Sequence, residues 1–250
     1  MSGHSKWATT KHRKAGQDKK RSALFSKLSR IITVAAKSGG DPSPDNNAPL
    51  AAAIAKAKSY SLPKDKIESA IAKAFSSADG ADYEEVIYEG YGAAGVALYV
   101  EALTDNRNRT AADVRSAFTR AGGNLGATGS VAFQFERHGQ ITVEAADSMD
   151  EEELMLLVAD AGGDDLEEAD GVWIVATAPG DLMAVSHALE AAGVSVKGAE
   201  LVMEPLNETT VSVADAKKVL RLVDVLEESD DVQNVYHSMA LTDEIAAALE

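Results

Sequence analysis

The chain has 250 residues, 45% of them hydrophobic and 5% aromatic, and no cysteine, which excludes disulfides, thiolate nucleophiles and Cys-based zinc sites. Its formal net charge of −16 is split: the first 40 residues carry ten Lys/Arg against one acid, residues 1–75 carry 15 against five, and the remaining 175 carry nine against 35. A cationic head on an anionic body directs the head at phosphate, so nucleic acid is the leading class of partner.

Residues 18–37 read as a helix with Leu24, Leu28, Ile31 and Ala35 on one stripe, stopped by Gly39-Gly40. A Gly/Pro/Asp/Asn loop runs to Pro49. A second helix then carries Leu50 and Ile54, and a third starts at Pro63 and buries Ile67, Ile71 and Phe75. Beyond a hinge at 76–81 the period changes. Residues 96–103 read as a strand, and 110–121 as a helix that Thr110 and Asp113 are placed to cap. From 140 the order is strand 140–145, helix 150–161, strands 165–169 and 172–177, helix 180–192 and strand 196–203, the βαββαβ pattern of a ferredoxin-like fold. Strand 209–213, helix 214–228 and strand 232–238 close the chain. The expected fold class is α+β in three domains. Residues 1–78 form a basic tail and an all-helical domain, 79–137 plus 205–250 a discontinuous α/β domain, and 138–204 an inserted ferredoxin-like one. No stretch approaches the roughly 20 apolar residues of a membrane span, and no apolar segment follows the N-terminal charges as in a secretory signal. The expectation is a cytoplasmic protein.

Gly90-Tyr91-Gly92-Ala93-Ala94-Gly95 spells G-x-G-x-x-G, but a strand follows it rather than a helix, so a turn explains it better than a dinucleotide. The histidines at 4, 12, 138, 187 and 237 lack metal-ligand spacing and read as isolated surface residues. The acidic runs 150–153 and 164–170 read as a solvated face, with divalent-metal nuclease chemistry as the competing reading. Asn106, Arg107 and Arg109 join a strand to a helix, where they suit either a phosphate or a contact between domains. The strongest chemical signal is Lys6-Trp7, Lys11-His12-Arg13-Lys14 and Lys19-Lys20-Arg21, continued by Lys27 and Arg30 on the first helix. Lysine and arginine displace counterions from a phosphate backbone, and Trp7 offers a ring for an exposed base.

Several strings together resemble the YebC/PmpR proteins, which include the mitochondrial translational activator of cytochrome c oxidase subunit I. They are Gly3-His-Ser-Lys-Trp-Ala8, Lys11-His-Arg-Lys14, Gly39-Gly-Asp-Pro42, Leu62-Pro-Lys-Asp-Lys-Ile-Glu68, Tyr88-Glu-Gly-Tyr-Gly92, Leu103-Thr-Asp-Asn-Arg-Asn-Arg-Thr110, Gly122-Gly-Asn-Leu-Gly126 and Thr128-Gly-Ser130. The resemblance implies three domains and a non-enzymatic regulator of gene expression. Some family members are described as binding promoter DNA, others as translation factors on the ribosome. On the ribosomal model the basic tail and the loop with Gly39, Gly40, Asp41, Asn46 and Asn47 approach ribosomal RNA. The chain departs from the family pattern at Asn47-Ala-Pro-Leu-Ala51, where Asn-Pro-Arg-Leu-Arg is usual, and at Ala93-Ala94, where Pro-Gly is common.

The resulting expectation is a monomeric protein with no catalytic residue, cofactor, resident metal or small-molecule substrate. It binds nucleic acid, either ribosomal RNA on the ribosome or DNA, through its N-terminal domain. That domain shows no clear helix-turn-helix, which favours a shaped RNA target over promoter reading. The alternative is a structure-specific nuclease that uses acidic residues and a divalent metal.

Overall fold

The computed structural model describes residues 18–76, 83–144, 151–169 and 171–248. Lys6, Trp7, Lys11, His12, Arg13 and Lys14 lie outside the described residues, and so do the side chains of Lys19 and Lys20.

Three helices come first: α1 (Asp18–Gly39), α2 (Ala48–Ser59) and α3 (Lys64–Ala74). The most deeply buried side chains of α1 are Leu28, Ile32 and Ala36, at i, i+4 spacing. That seam lies slightly round the helix from the expected stripe, and Ile31 and Ala35 stay half-buried. Against it pack Leu50, Ala53 and Ala57 of α2, then Leu62, Ile67 and Ala70. Alanine at positions 36, 53, 57 and 70 lets the helices approach closely. Phe75, expected in this core, is 47% exposed.

The chain continues with β1 (Glu84–Tyr91), β2 (Ala97–Thr104), α4 (Arg107–Arg120), β3 (Asn124–Leu125), β4 (Phe135–Glu144), α5 (Glu151–Ala161), β5 (Asp165–Ala169) and β6 (Val172–Thr177). It ends with α6 (Leu182–Ala191), β7 (Ser195–Pro205), α7 (Val213–Glu227), β8 (Val232–His237) and α8 (Asp243–Ala247). One antiparallel sheet has the order β3-β1-β2-β8 and the other β5-β6-β4-β7, the second being ferredoxin-like. Strand alternation divides the first sheet between two cores. Leu98 and Val100 face α4 and α7, where they meet Val114, Phe118, Val219 and Val223. Ala97 and Tyr99 face the other way, against Phe135 of β4 and Met203 of β7. That second face is the seam between the sheets.

The structure departs from the sequence reading at several further places, and strand β1 and helix α8 were not foreseen. The expected strand 209–213 is a single bridge between Thr209 and Met239, because Thr209 exchanges backbone hydrogen bonds only with Ser238 and Ala240. Helix α4 starts three residues early, capped by Asn106, whose side chain accepts from the Arg109 N–H at 3.1 Å. Thr110 is buried instead of capping. His237 is 1% exposed rather than on the surface, and burial pushes its imidazole down to about 4. Gly92 opens a tight strand connection, and at Gly90, inside β1, a Cβ would strike the Asn124 carbonyl and the Phe118 ring. In that connection Ala94 holds φ +55, the left-handed region that suits the glycine common in the resembling family.

Candidate nucleic-acid interface

Helix α1 presents its cations on two faces. On one, the Lys27 ammonium is buried and donates to the Glu227 carbonyl at 2.6 Å, at the last turn of α7. A helix C-terminus leaves carbonyls without intrahelical donors and carries partial negative charge, so a cation settles there. One turn further on, Arg30 reaches the carbonyls of Leu103 and Asp230, each at 2.9 Å, and the Asp231 carboxylate at 2.7 Å. The sequence groups Lys27 and Arg30 with the phosphate-binding tail. In the structure both side chains hold internal acceptors and join the helical region to the first sheet. A second joint lies at α2, where Lys56 pairs with Glu200 of β7 at 2.7 Å.

Asp231, 6% exposed, is the centre of the first joint. One carboxylate oxygen takes Arg30; the other lies 2.9 Å from Arg109, 2.7 Å from the Thr110 hydroxyl and 3.2 Å from that of Thr104. Burial by itself would raise this carboxyl, but hydrogen bonds from Arg109, Thr110 and Arg30 outweigh it and hold it down at about 2. Arg109 also pairs with Asp105 at 2.8 Å, and its guanidinium is held in the charged form by both acids. Asn106 is occupied as the cap of α4, and Arg107 stands exposed beside it. The Asp105–Thr110 run therefore serves this buried network, and Asp231, 121 residues from Thr110, is the member that sequence reasoning missed.

The 39–47 loop is similarly self-satisfied. Asn47 is 2% exposed; its amide donates to the carbonyls of Ala35 at 3.2 Å and Asp41 at 3.0 Å while its oxygen caps α2. Asp41 accepts from the Ser43 N–H and from the Asn46 amide. Gly39 packs where a Cβ would strike the Asn47 side chain, and Gly40 has φ +70. Asn47 thus folds the loop. Gly39, Gly40 and Asn46 are exposed on it, and Asp41 is half-buried.

On the other face of α1, between it, α3 and Tyr83, lies an open groove of about 640 Å³. Arg21 lies over the Phe25 ring at 5.3 Å, and Arg30, while paired with Asp231, borders one end of the groove with its guanidinium over the Tyr83 ring at 5.0 Å. Lys66 and Lys73 enter from α3. Among the described residues no carboxylate forms an ion pair with Arg21, Lys66 or Lys73. Sequence reasoning did not single out Lys66 or Lys73. Also among the described residues, no three His, Cys, Asp or Glu side chains converge to hold a metal ion, and no helix is long and apolar enough to cross a membrane.

Two family models cover nearly the whole chain: the TACO1/YebC N-terminal domain matches residues 5–77, and the TACO1/YebC second and third domain matches residues 83–239. The chain belongs to the TACO1/YebC family. A relative from Bifidobacterium animalis subsp. lactis is 49% identical over 251 residues, covering 100% of this chain and 99% of its own. One from Rubrobacter xylanophilus is 48% identical, covering 99% and 98%. Both are named probable transcriptional regulatory proteins. The crystal structure of a conserved hypothetical protein from Aquifex aeolicus superposes with a TM-score of 0.86 at 43% identity, covering 96% of this chain and 98% of that one. The family match thus spans both the basic helices and the acidic α/β body.

Proposed function

We propose that this YebC-family protein is a regulator of gene expression that acts by binding nucleic acid through its N-terminal helical region, without catalysis. The observation that carries the reading is the groove between α1 and α3, where Arg21, Lys66 and Lys73 form no ion pair with a carboxylate among the described residues, on an otherwise acidic molecule. The joints at Asp231 and Glu200 hold that face in a set orientation, while the anionic body repels phosphate elsewhere. As a target, structured RNA such as ribosomal RNA fits better than a promoter. A promoter reader lays one helix in the major groove and offers amides or arginines to base edges. Helix α2 is largely alanine, and one face of α1 is already docked on α7.

A second reading, direct DNA binding in transcription, is favoured by the names of the relatives, probable transcriptional regulatory proteins. Equilibrium binding of the full chain to ribosomes, ribosomal RNA and duplex DNA at two salt concentrations separates the two. Tighter binding to ribosomes or ribosomal RNA is expected. A preference for duplex DNA with a defined sequence would install the transcriptional reading instead.

A further inference from the structure

The groove between α1 and α3 has a composition unlike the helical core beside it. Along α1 its wall is Ser22, Ser26 and Ser29, at i, i+4, i+7. Its floor is Thr33, hydrogen-bonded to the Ala70 carbonyl at 3.0 Å. Along α3 the wall is Lys66, Ser69 and Lys73, at i, i+3, i+7 and so on one face. Leucine at the serine positions would extend the hydrophobic core and close the cleft; small hydroxyl residues keep it open and wet. The Ser29 and Ser69 hydroxyls already donate to carbonyls one turn back, which leaves their oxygens as acceptors. Ser22 and Ser26 are exposed at the mouth.

We propose that this groove seats a single-stranded phosphodiester chain. The inference rests on the nucleic-acid reading above and assigns the strand a place within it. Lys66 and Lys73 stand about 10 Å apart along α3, at ~1.5 Å per residue, and Arg21 faces them across the cleft. The three lining cations that form no ion pair with a carboxylate among the described residues suit phosphates spaced along one strand, whose ribose and phosphate oxygens the Ser22 and Ser26 hydroxyls meet. Arg21, held over Phe25, exposes a flat guanidinium face on which a base stacks. The volume, about 640 Å³, is that of a small-ligand cleft, which typically spans ~300–1,000 Å³. A duplex, convex and wider than the cleft, touches only its rim. Asp230, the carboxylate lining the cleft, lies at the Arg30 end and marks where a phosphate path stops.

The test is fluorescence anisotropy of the full chain with labelled oligouridine, oligothymidine and a duplex of equal length, at two salt concentrations. The variants are Lys66→Glu with Lys73→Glu, and a control with the same charge change outside the cleft, Lys58→Glu with Lys217→Glu. All four lysines are exposed. The groove pair is expected to weaken both single strands about 30-fold or more and to flatten the salt slope by about 1.4, at ~0.7 for each phosphate no longer neutralised. The control is expected to stay within about threefold. Lys66→Ala with Lys73→Ala, which adds no acid, is expected to act in the same direction by about tenfold. Equal losses in the groove and control pairs would overturn the groove while leaving nucleic-acid binding intact. Wild-type protein that binds ribosomal RNA but neither single strand would overturn the groove alone, and wild-type protein that binds neither ribosomal RNA nor any strand would overturn the functional reading with it. Duplex bound as tightly as single strand would overturn the single-strand assignment.

Discussion

On the side of α1 that meets α7, Lys27 and Arg30 are bound by the carbonyls of Glu227, Leu103 and Asp230 and by the Asp231 carboxylate. On the side that meets α3, Arg21, Lys66 and Lys73 surround an open cleft and form no ion pair with a carboxylate among the described residues. Both faces carry lysine and arginine, the first from α1 alone and the second from α1 and α3 together. What separates them is whether the fold delivers an acceptor. A helix C-terminus and a buried aspartate arrive at the first face, whereas serine and alanine arrive at the second. A count of basic residues therefore overstates the binding surface, and the location of acceptors from distant segments decides which charges remain for a ligand.

The largest expected way to break this contrast is Asp231→Ala. It removes the shared partner of Arg30 and Arg109 and the acceptor of the buried Thr104 and Thr110 hydroxyls, at a cost of about 3 kcal/mol. Urea unfolding should show that loss, while the folded fraction should keep its affinity for oligouridine. A matching loss of affinity would mean that the two faces are one site.

Acid acts on the same joint. The Asp231 carboxyl lies at about 2 in the folded protein against an ordinary value of 3.8, so its contribution is complete above about pH 4 and is lost as pH falls toward 2. The size is on the order of 2 kcal/mol. Buried His237 acts earlier: held down at about 4 from 6.5, it costs stability as pH falls from 6.5 toward 4, because the unfolded chain takes up the proton first. Stability measured against pH should therefore decline in two windows, and Asp231→Asn should shrink only the lower one. Glu89, which burial would raise but the backbone N–H groups of Gly129, Val131 and Ala132 hold low, also contributes to that window. A single transition that Asp231→Asn leaves unchanged would contradict the assignment. The smallest expected effect is that of Lys27→Met, which costs about 1–2 kcal/mol by leaving the Glu227 carbonyl without this donor and does not change nucleic-acid affinity.

The helices and most strands were legible because their periods are strong: Leu28 with Ile32 and Ala36, or the alternation of Leu98, Val100 and Ala102 with Ala97 and Tyr99. Element ends were less so. Asn106, Asn108 and Thr110 are all plausible caps by type, and only the approach of Asp231 shows that Thr110 is inside. The fate of Arg30 was hidden for the same reason, since its acceptors at 103 and 230–231 are far away in sequence. Asn47 reads as an exposed loop residue until the end of α1 is seen to fold over it. The cleft was missed because Ser22, Ser26 and Ser29 look like an ordinary solvated stripe, and Lys66 and Lys73 join them only when α3 packs against α1. Its signal was present as serine at helical spacing beside a core seam.

Ultraviolet crosslinking of the full chain to ribosomal RNA or oligouridine, followed by mass spectrometry of the crosslinked peptides, tests the central claim most directly. Adducts confined to residues 1–76, with peptides containing Phe25 or Lys66 among them, are the predicted result. Adducts concentrated in the acidic sheets, on residues 138–204, would contradict it.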